Sequence, residues 1–261
     1  MTILDKIISY KKTEVNARKE AFPLDSLKRS SLFSRDTVSL SQSLNGSDAG
    51  IIAEHKRRSP SKSVINNGAE LKMVIEGYDR GGAKGISVLT DTPFFGGGLD
   101  DLLLARQYTE LPLLRKEFII DPYQIYEAKA YGADAILLIA AALNNEQLST
   151  LAAVASSLGL EVLLEVHNSK ELERAVTQQV ELIGVNNRNL KTFEVSLETS
   201  ISLAERIPDH FVKVSESGIG SVQDVQRLAS AGYSGFLMGE HFMKCKNPGG
   251  ELEQFIKSVH E

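Results

Sequence analysis

The 261-residue sequence lacks several features that would assign it to a special class. It has one cysteine, Cys245, which rules out an internal disulfide and a cysteine-based metal cluster and suits a reducing compartment, by default the cytoplasm. It has no basic excess: 29 Lys and Arg stand against 34 Asp and Glu, a formal charge of −5, so a concentrated cationic face for nucleic acid is missing. It has no long apolar run. The longest, residues 135–143, is far short of the ~20 residues a membrane-spanning helix needs. An export signal is missing as well, because Asp5 and Lys6 interrupt Ile3, Leu4, Ile7 and Ile8 before an apolar core can form. With 42% hydrophobic and 24% charged residues, disorder and collagen are excluded and an ordinary globular composition remains.

What is present from residue 50 onward is a repeat: a short Val/Ile/Leu-rich run, a polar or Gly-containing turn, then a stretch of helical period. Eight apolar runs cover residues 50–56, 83–90, 111–118, 134–140, 160–167, 181–187, 211–216 and 234–239. Near-continuous apolar runs of this length fit strands buried on both faces. The stretches between them carry helix start and stop signals. Asp121 precedes Pro122; Asn144 opens a segment with Leu148, Leu151, Ala152, Ala155 and Leu158 on one face, stopped by Gly159. Asn168 with Glu171 and Ser221 with Asp224 have capping spacing, and Leu252, Phe255, Ile256 and Val259 form a last amphipathic helix.

Eight alternating units require parallel strands with helical crossovers, and eight is the number that closes the sheet without an edge. The expected fold is α/β, a (β/α)8 TIM barrel over residues 50–261 with an N-terminal helical extension and connector over residues 1–49, together a single domain. The rival, an open doubly wound sheet, is disfavoured because the first strand-to-helix turn has no G-x-G-x-x-G. In the extension, a charged amphipathic helix reaches to about Glu20, and a Ser-rich stretch, residues 26–48, follows with weak periodicity. The expected arrangement is a helix plugging one barrel mouth and then a flexible connector; the alternative is a lid over the site.

In such a barrel the catalytic groups come from the C-terminal ends of several strands. Here those ends are polar. The first finishes Glu54-His55-Lys56, and period-two geometry puts Glu54, Lys56 and Ile52 on one side and His55 on the other. The third ends Arg115-Lys116-Glu117-Phe118, the fifth Glu165-Val166-His167, the sixth Asn186-Asn187-Arg188 and the seventh Ser215-Glu216-Ser217-Gly218. One such residue would simply reach water. Five charged mouths on one face would cost desolvation energy, which points to catalysis or a charged ligand.

Small residues suggest where an anion sits. Ser217-Gly218-Ile219-Gly220 leads into a helix, and Gly239 ends the last strand, leaving backbone N–H groups accessible near helix starts in the usual barrel phosphate position. Ser59-Pro60-Ser61-Lys62 follows the first strand, and Pro60 stiffens that loop so that Ser59 can donate to a substrate oxygen. Gly96-Gly97-Gly98 reads as a mobile loop.

The segments IIAEHKRRSPSK (51–62), LRKEFIID (114–121), LEVH (164–167), GVNNRNL (184–190) and SESGI (215–219) resemble indole-3-glycerol phosphate synthase. The N-terminal ILDKI (3–7) and the LTD…F loop (89–95) also look like that family's, so the match spans nearly the whole chain. The resemblance implies a cofactor-free, metal-free lyase of tryptophan biosynthesis. Such an enzyme closes the indole ring of 1-(2-carboxyphenylamino)-1-deoxyribulose 5-phosphate, releasing CO2 and water. It also implies roles: Lys116 as general acid on the substrate carbonyl, Lys56 and Glu54 as an interacting pair, and Glu165 as a second carboxylate base. Asn186 and Arg188 would position the substrate and its carboxylate. Ser59, Phe118, Ser217, Gly218, Gly239 and Glu240 would complete the substrate contacts. The division of the dehydration among Lys56, Glu54 and Glu165 stays open.

Chemically, ring closure needs a proton on a ketone oxygen, and a lysine crowded by cations and desolvated would be lowered toward neutrality for that task. An arginine fork suits a planar carboxylate. Four positions depart from the family pattern: His55, turned toward the helices; Ser63 and Gly98, which affect loop geometry; and His241, beside the expected phosphate. The partner implied is a phosphorylated small molecule, with neither nucleic acid nor membrane, and a monomer fits. A monofunctional enzyme is expected, since the sequence ends at Glu261 without room for a second barrel. Two other readings are an enzyme acting on a different sugar phosphate and a phosphosugar binder without turnover.

Overall fold

Each of the eight apolar runs forms a strand, one or two residues shorter than the run itself at most ends: β1 Gly50–His55, β2 Gly85–Leu89, β3 Leu113–Lys116, β4 Ala135–Ile139, β5 Glu161–Val166, β6 Leu182–Asn186, β7 Val212–Glu216 and β8 Gly235–Met238. All pair in parallel in chain order, and β1 closes on β8 with Ile52 opposite Leu237, giving a closed (β/α)8 barrel. The computed structural model describes residues 2–45, 47, 50–60 and 62–260; Ser61 of the Ser-Pro-Ser-Lys loop and Asp48 at the end of the expected connector lie outside them.

Alternation sorts the strand residues into two cores. Ile52, Leu114, Leu137, Leu163, Val214 and Leu237 fill the barrel interior, whereas Ile51, Ala53, Ile86, Val88, Ile136 and Val162 pack outward under the helices. The expected caps form: Asp121 accepts from Tyr123 N, and Asn144 and Ser221 make reciprocal capping boxes with Gln147 and Asp224.

The extension departs from expectation. The N-terminal helix, Ile3–Ala21, does not plug the barrel; its Ile3, Leu4 and Ile7 line the cavity at the C-terminal mouth, the lid position. The opposite mouth is plugged by a short helix, Leu40–Leu44, from within the expected flexible connector. Leu40 and Leu44 are fully buried in the interior core, and Gly85 makes room for Leu40, since a Cβ there would lie 2.5 Å from it. The rest of the connector is pinned too. Arg35 pairs with Asp134 at 2.6 Å, Val38 N donates to the same carboxylate, and Ser39 and Ser41 donate to Glu161. Serine hydroxyls, weak as a periodic signal, act here as donors to a half-buried acid at the start of β5. The expected mobile Gly96–Gly98 loop instead follows a short helix, Thr92–Phe95, capped by Asp91 and ended by left-handed Gly96.

Candidate active site

Period-two geometry carries the inward set of each strand from apolar residues in the middle to charged residues at the C-terminal mouth. Ile52 is followed by Glu54 and Lys56, Leu114 by Lys116, Leu163 by Glu165, and Val214 by Glu216. These groups surround a cavity of about 460 Å3, together with Asn186 of β6. Ser59, Phe118, Arg188, Ser217, Gly218, Gly239 and Glu240 also line it, so the structure brings every residue nominated from the sequence to one place. Asn187 and Arg115 point the other way. Asn187 binds Ser215, Ser217 and Ser200, and Arg115 binds Thr90, the Gln124 carbonyl and Glu127.

Lys116 is the electrostatic hub. Its Nζ donates to Glu216 Oε2 at 2.7 Å and reaches Glu165 Oε2 at 3.5 Å. Burial alone would push this ammonium down, but Glu216, Glu165 and Glu54 outweigh burial and hold it above the ordinary lysine range. The expectation of a lysine lowered toward neutrality is therefore corrected, because carboxylates rather than cations crowd it.

The carboxylates differ among themselves. Burial raises Glu165, but Lys116 and His167 bring it down to about 2. His167 Nε2 lies 3.2 Å from Glu165 Oε1 and Nδ1 lies 3.1 Å from Glu171 Oε2; against burial, these two acids lift the imidazole to about 10. Glu54 pairs with Lys56 at 2.5 Å, and although burial opposes it, Lys56 and Lys116 hold its carboxyl below the usual range. Glu216 is the odd one. Burial pushes it up, Lys116 pulls it back, and repulsion from Glu165 and Glu54 leaves it at about 7. Two glycines make this crowding sterically feasible: a Cβ on Gly184 would lie 2.3 Å from Glu216 Oε1, and one on Gly239 would lie 2.8 Å from Glu54.

Glu216 is the residue that sequence reasoning placed at a strand end without giving it a role. Its spacing of two from inward Val214 was the available signal. The apolar wall of Ile3, Leu4, Phe95, Leu137 and Ile139 was also not foreseen, because it assembles from separate elements.

At the other end of the cavity the chain turns through Ser217 (φ 67°) and Gly218 (φ 79°), both left-handed. Asn187 Nδ2 fixes the Ser217 carbonyl at 3.1 Å, and a Cβ on Gly218 would lie 2.2 Å from Val195. Across from this turn, Gly239 precedes the short helix Glu240–Met243. Burial raises the Glu240 carboxyl, yet Lys244 and Lys62, both bonded to it, hold it at about 2. His241 sits beside Glu251, with Nε2 3.4 Å from Oε1. A Cβ at Gly98 would meet nothing within 4 Å, so no close approach requires glycine there. Among the described residues, no three His, Cys, Asp or Glu side chains converge as a metal site, and no helix is long and apolar enough to cross a membrane.

Comparison with known proteins agrees with this geometry. Among solved structures, the fold is similar to 3-hexulose-6-phosphate synthase from Salmonella typhimurium (TM-score 0.62, 13% identity, 81% of this chain and 98% of that one). It is also similar to thiamine phosphate pyrophosphorylase from Pyrococcus furiosus (TM-score 0.61, 17% identity, 85% and 98%). At these identities the likeness concerns the barrel alone. Sequence relatives are more specific: indole-3-glycerol phosphate synthase from Bacteroides thetaiotaomicron is 47% identical over 257 residues, 98% of either chain. The indole-3-glycerol phosphate synthase family model matches residues 4–258, running from the lid helix through every charged strand end to the last helix, and the chain belongs to that family.

Proposed function

We infer that the chain catalyses the indole-3-glycerol phosphate synthase reaction, a carboxy-lyase step of tryptophan biosynthesis, on 1-(2-carboxyphenylamino)-1-deoxyribulose 5-phosphate. The ring carbon bearing the carboxylate bonds to the ketone carbon, CO2 leaves, and the former ketone oxygen departs as water. The observation that carries this reading is the Lys116 ammonium, held by Glu216 and Glu165 at the centre of the cavity with the Glu54–Lys56 pair beside it.

In the proposed mechanism Lys116 meets the ketone oxygen as a cation, stabilising the negative charge that develops during ring closure and delivering a proton to it. Glu216, near 7 and 2.7 Å from Lys116, resupplies that proton. Glu165, fully ionised at neutral pH, is the base that removes a proton during dehydration, and Lys56, paired with Glu54, is its acid counterpart. Arg188 and Asn186 orient the substrate carboxylate. Phe118 and the apolar wall enclose its ring, and Ser59, Ser217, Gly218 and Gly239 cradle its phosphate. Glu240 acts by presenting Lys62 and Lys244 to that anion. The extension and the barrel work as one domain, since the lid helix supplies part of the cavity wall. The partner is this phosphorylated small molecule, and a monomer suffices to build the cavity. A cytoplasmic setting rests on the single cysteine.

The test is direct. The purified protein is incubated with the carboxyphenylamino-deoxyribulose phosphate, and indole absorbance is followed. Product is expected from the native sequence, with Lys116→Ala slower by about 10²–10⁴, the range for losing a general acid. No product from the native sequence would overturn the function. Native turnover in Lys116→Ala would overturn the role of Lys116.

A further inference from the structure

The cavity chemistry does not use Lys11, yet this lysine is one of the least exposed charged residues in the protein, at 1%. Its Nζ lies 3.0 Å from Asp91 Oδ2, 3.0 Å from Glu117 Oε1 and 2.8 Å from Glu14 Oε2. Each of the first two carboxylates holds a wall of the cavity. Asp91 Oδ1 caps the helix Thr92–Phe95 by accepting from Phe94 N at 2.8 Å, and that helix ends on Phe95. Glu117 Oε1 accepts from Phe118 N at 2.8 Å, and Glu117 Oε2 accepts from Thr90. Phe95 and Phe118 then meet at the cavity edge, centroids 5.9 Å apart and ring planes tilted by 40°. Lys11 itself belongs to the helix whose first turns contribute Ile3, Leu4 and Ile7.

We propose that Lys11 is a positioning residue: one buried ammonium ties the N-terminal helix, the Phe95 helix and the end of β3 together, and so fixes the apolar wall that grips the substrate's aromatic ring. This rests on the functional reading above. A cluster of buried charges is a poor source of stability, because apolar side chains of similar volume do as well or better. What such a cluster supplies is a fixed mutual position for the segments that carry it. The burial cost of Lys11 is outweighed by Glu117 and Asp91, so it stays charged throughout the neutral range. Without it, Asp91 and Glu117 repel each other across the gap, and the two phenylalanine-bearing segments move apart. Lys116 is held separately by Glu216 and Glu165, so the proton-transfer machinery stays in place.

The experiment compares steady-state kinetics of the native chain, Lys11→Met and Lys11→Arg, each at a temperature where its circular dichroism is native. For Lys11→Met, KM should rise at least about tenfold while kcat stays within about threefold, and Lys11→Arg should restore KM to within about threefold of native. A native KM in folded Lys11→Met overturns the proposal. So does a loss of kcat at unchanged KM, which is the result expected if fewer molecules are simply folded. Should Lys11→Met not fold, the triple variant Lys11→Met/Asp91→Asn/Glu117→Gln removes both buried carboxylates that Lys11 neutralised and leaves only Glu14, which reaches solvent at 26%. Its KM should still rise at least about threefold, and a native value there overturns the proposal equally. If the native chain itself makes no indole-3-glycerol phosphate, the functional reading fails rather than the role of Lys11.

Discussion

Glu161 and Glu165 stand on the same strand, four residues apart and on the same side of the sheet, and they end in opposite circumstances. Glu161, at the N-terminal mouth, is saturated by neutral donors: the hydroxyls of Ser39 and Ser41 and the Ser41 amide, at 2.6–2.8 Å. Glu165, at the C-terminal mouth, faces an ammonium and an imidazolium around an open cavity. The first acid fastens the plug helix to the barrel floor, whereas the second is left with reactive partners and space for a substrate. Residue type alone therefore decides neither role. The mouth at which a side chain emerges does, because one mouth is filled by Leu40 and Leu44, whereas at the other Gly184 and Gly239 leave room for Glu216 and Glu54 around a cavity.

The contrast can be broken most forcefully at the cavity end. Glu165→Gln should lower turnover by about 10²–10⁴, the usual cost of losing a positioned base, while Glu161→Gln should leave kcat and KM native. Comparable losses in both variants would erase the distinction between the mouths. The next largest effect concerns the plug. Leu44→Ala should cost about 2–5 kcal/mol of stability in a urea melt, as expected for a cavity opened in a tight core, again with native kinetics. A change in KM there would mean that the floor of the barrel communicates with the site. Glu161→Gln should itself cost about 1 kcal/mol in the same melt, because it disturbs a half-buried acceptor of three hydrogen bonds.

The subtlest effect has a characteristic sign. Glu216 has a folded-state value raised to about 7, so the folded protein binds that proton more tightly than the unfolded chain does. Its stabilising contribution is complete below the ordinary carboxyl value and disappears as pH rises through about 7. Glu216→Gln should therefore raise the melting temperature more at pH 8 than at pH 5.5, by an amount equivalent to about 1–2 kcal/mol, while turnover falls at both. Equal melting shifts at the two pH values would remove Glu216 as the group near neutrality.

Much of the barrel is legible because its signals are local. Eight runs such as AILLI in β4 and EVLLEV in β5 declare strands buried on both faces, and caps such as Asn144 and Ser221 mark where helices begin. Period two also carries Glu54 and Lys56 to the inside with Ile52. The extension is not legible in the same way. Its helix, Ile3–Ala21, is recognisable, but whether it covers one mouth or the other depends on Lys11 finding acids contributed by residues 91 and 117, about eighty and a hundred positions away. The five-residue plug is little more than one helical turn, too short to show a period, and Ser39 and Ser41 give no pattern until Glu161 is known to lie beside them.

The sequence by itself determined the alternation of strands and helices, the closure expected of eight units, and which residues of each strand face inward, because these follow from periods of two and 3.6 and from caps within a few residues. Only the tertiary structure decided the charge state of Lys116. That quantity is a sum over Glu54, Glu165 and Glu216, contributed by three other strands, set against the loss of water around all four groups. No single segment contains that sum, so its sign emerges only when the barrel closes.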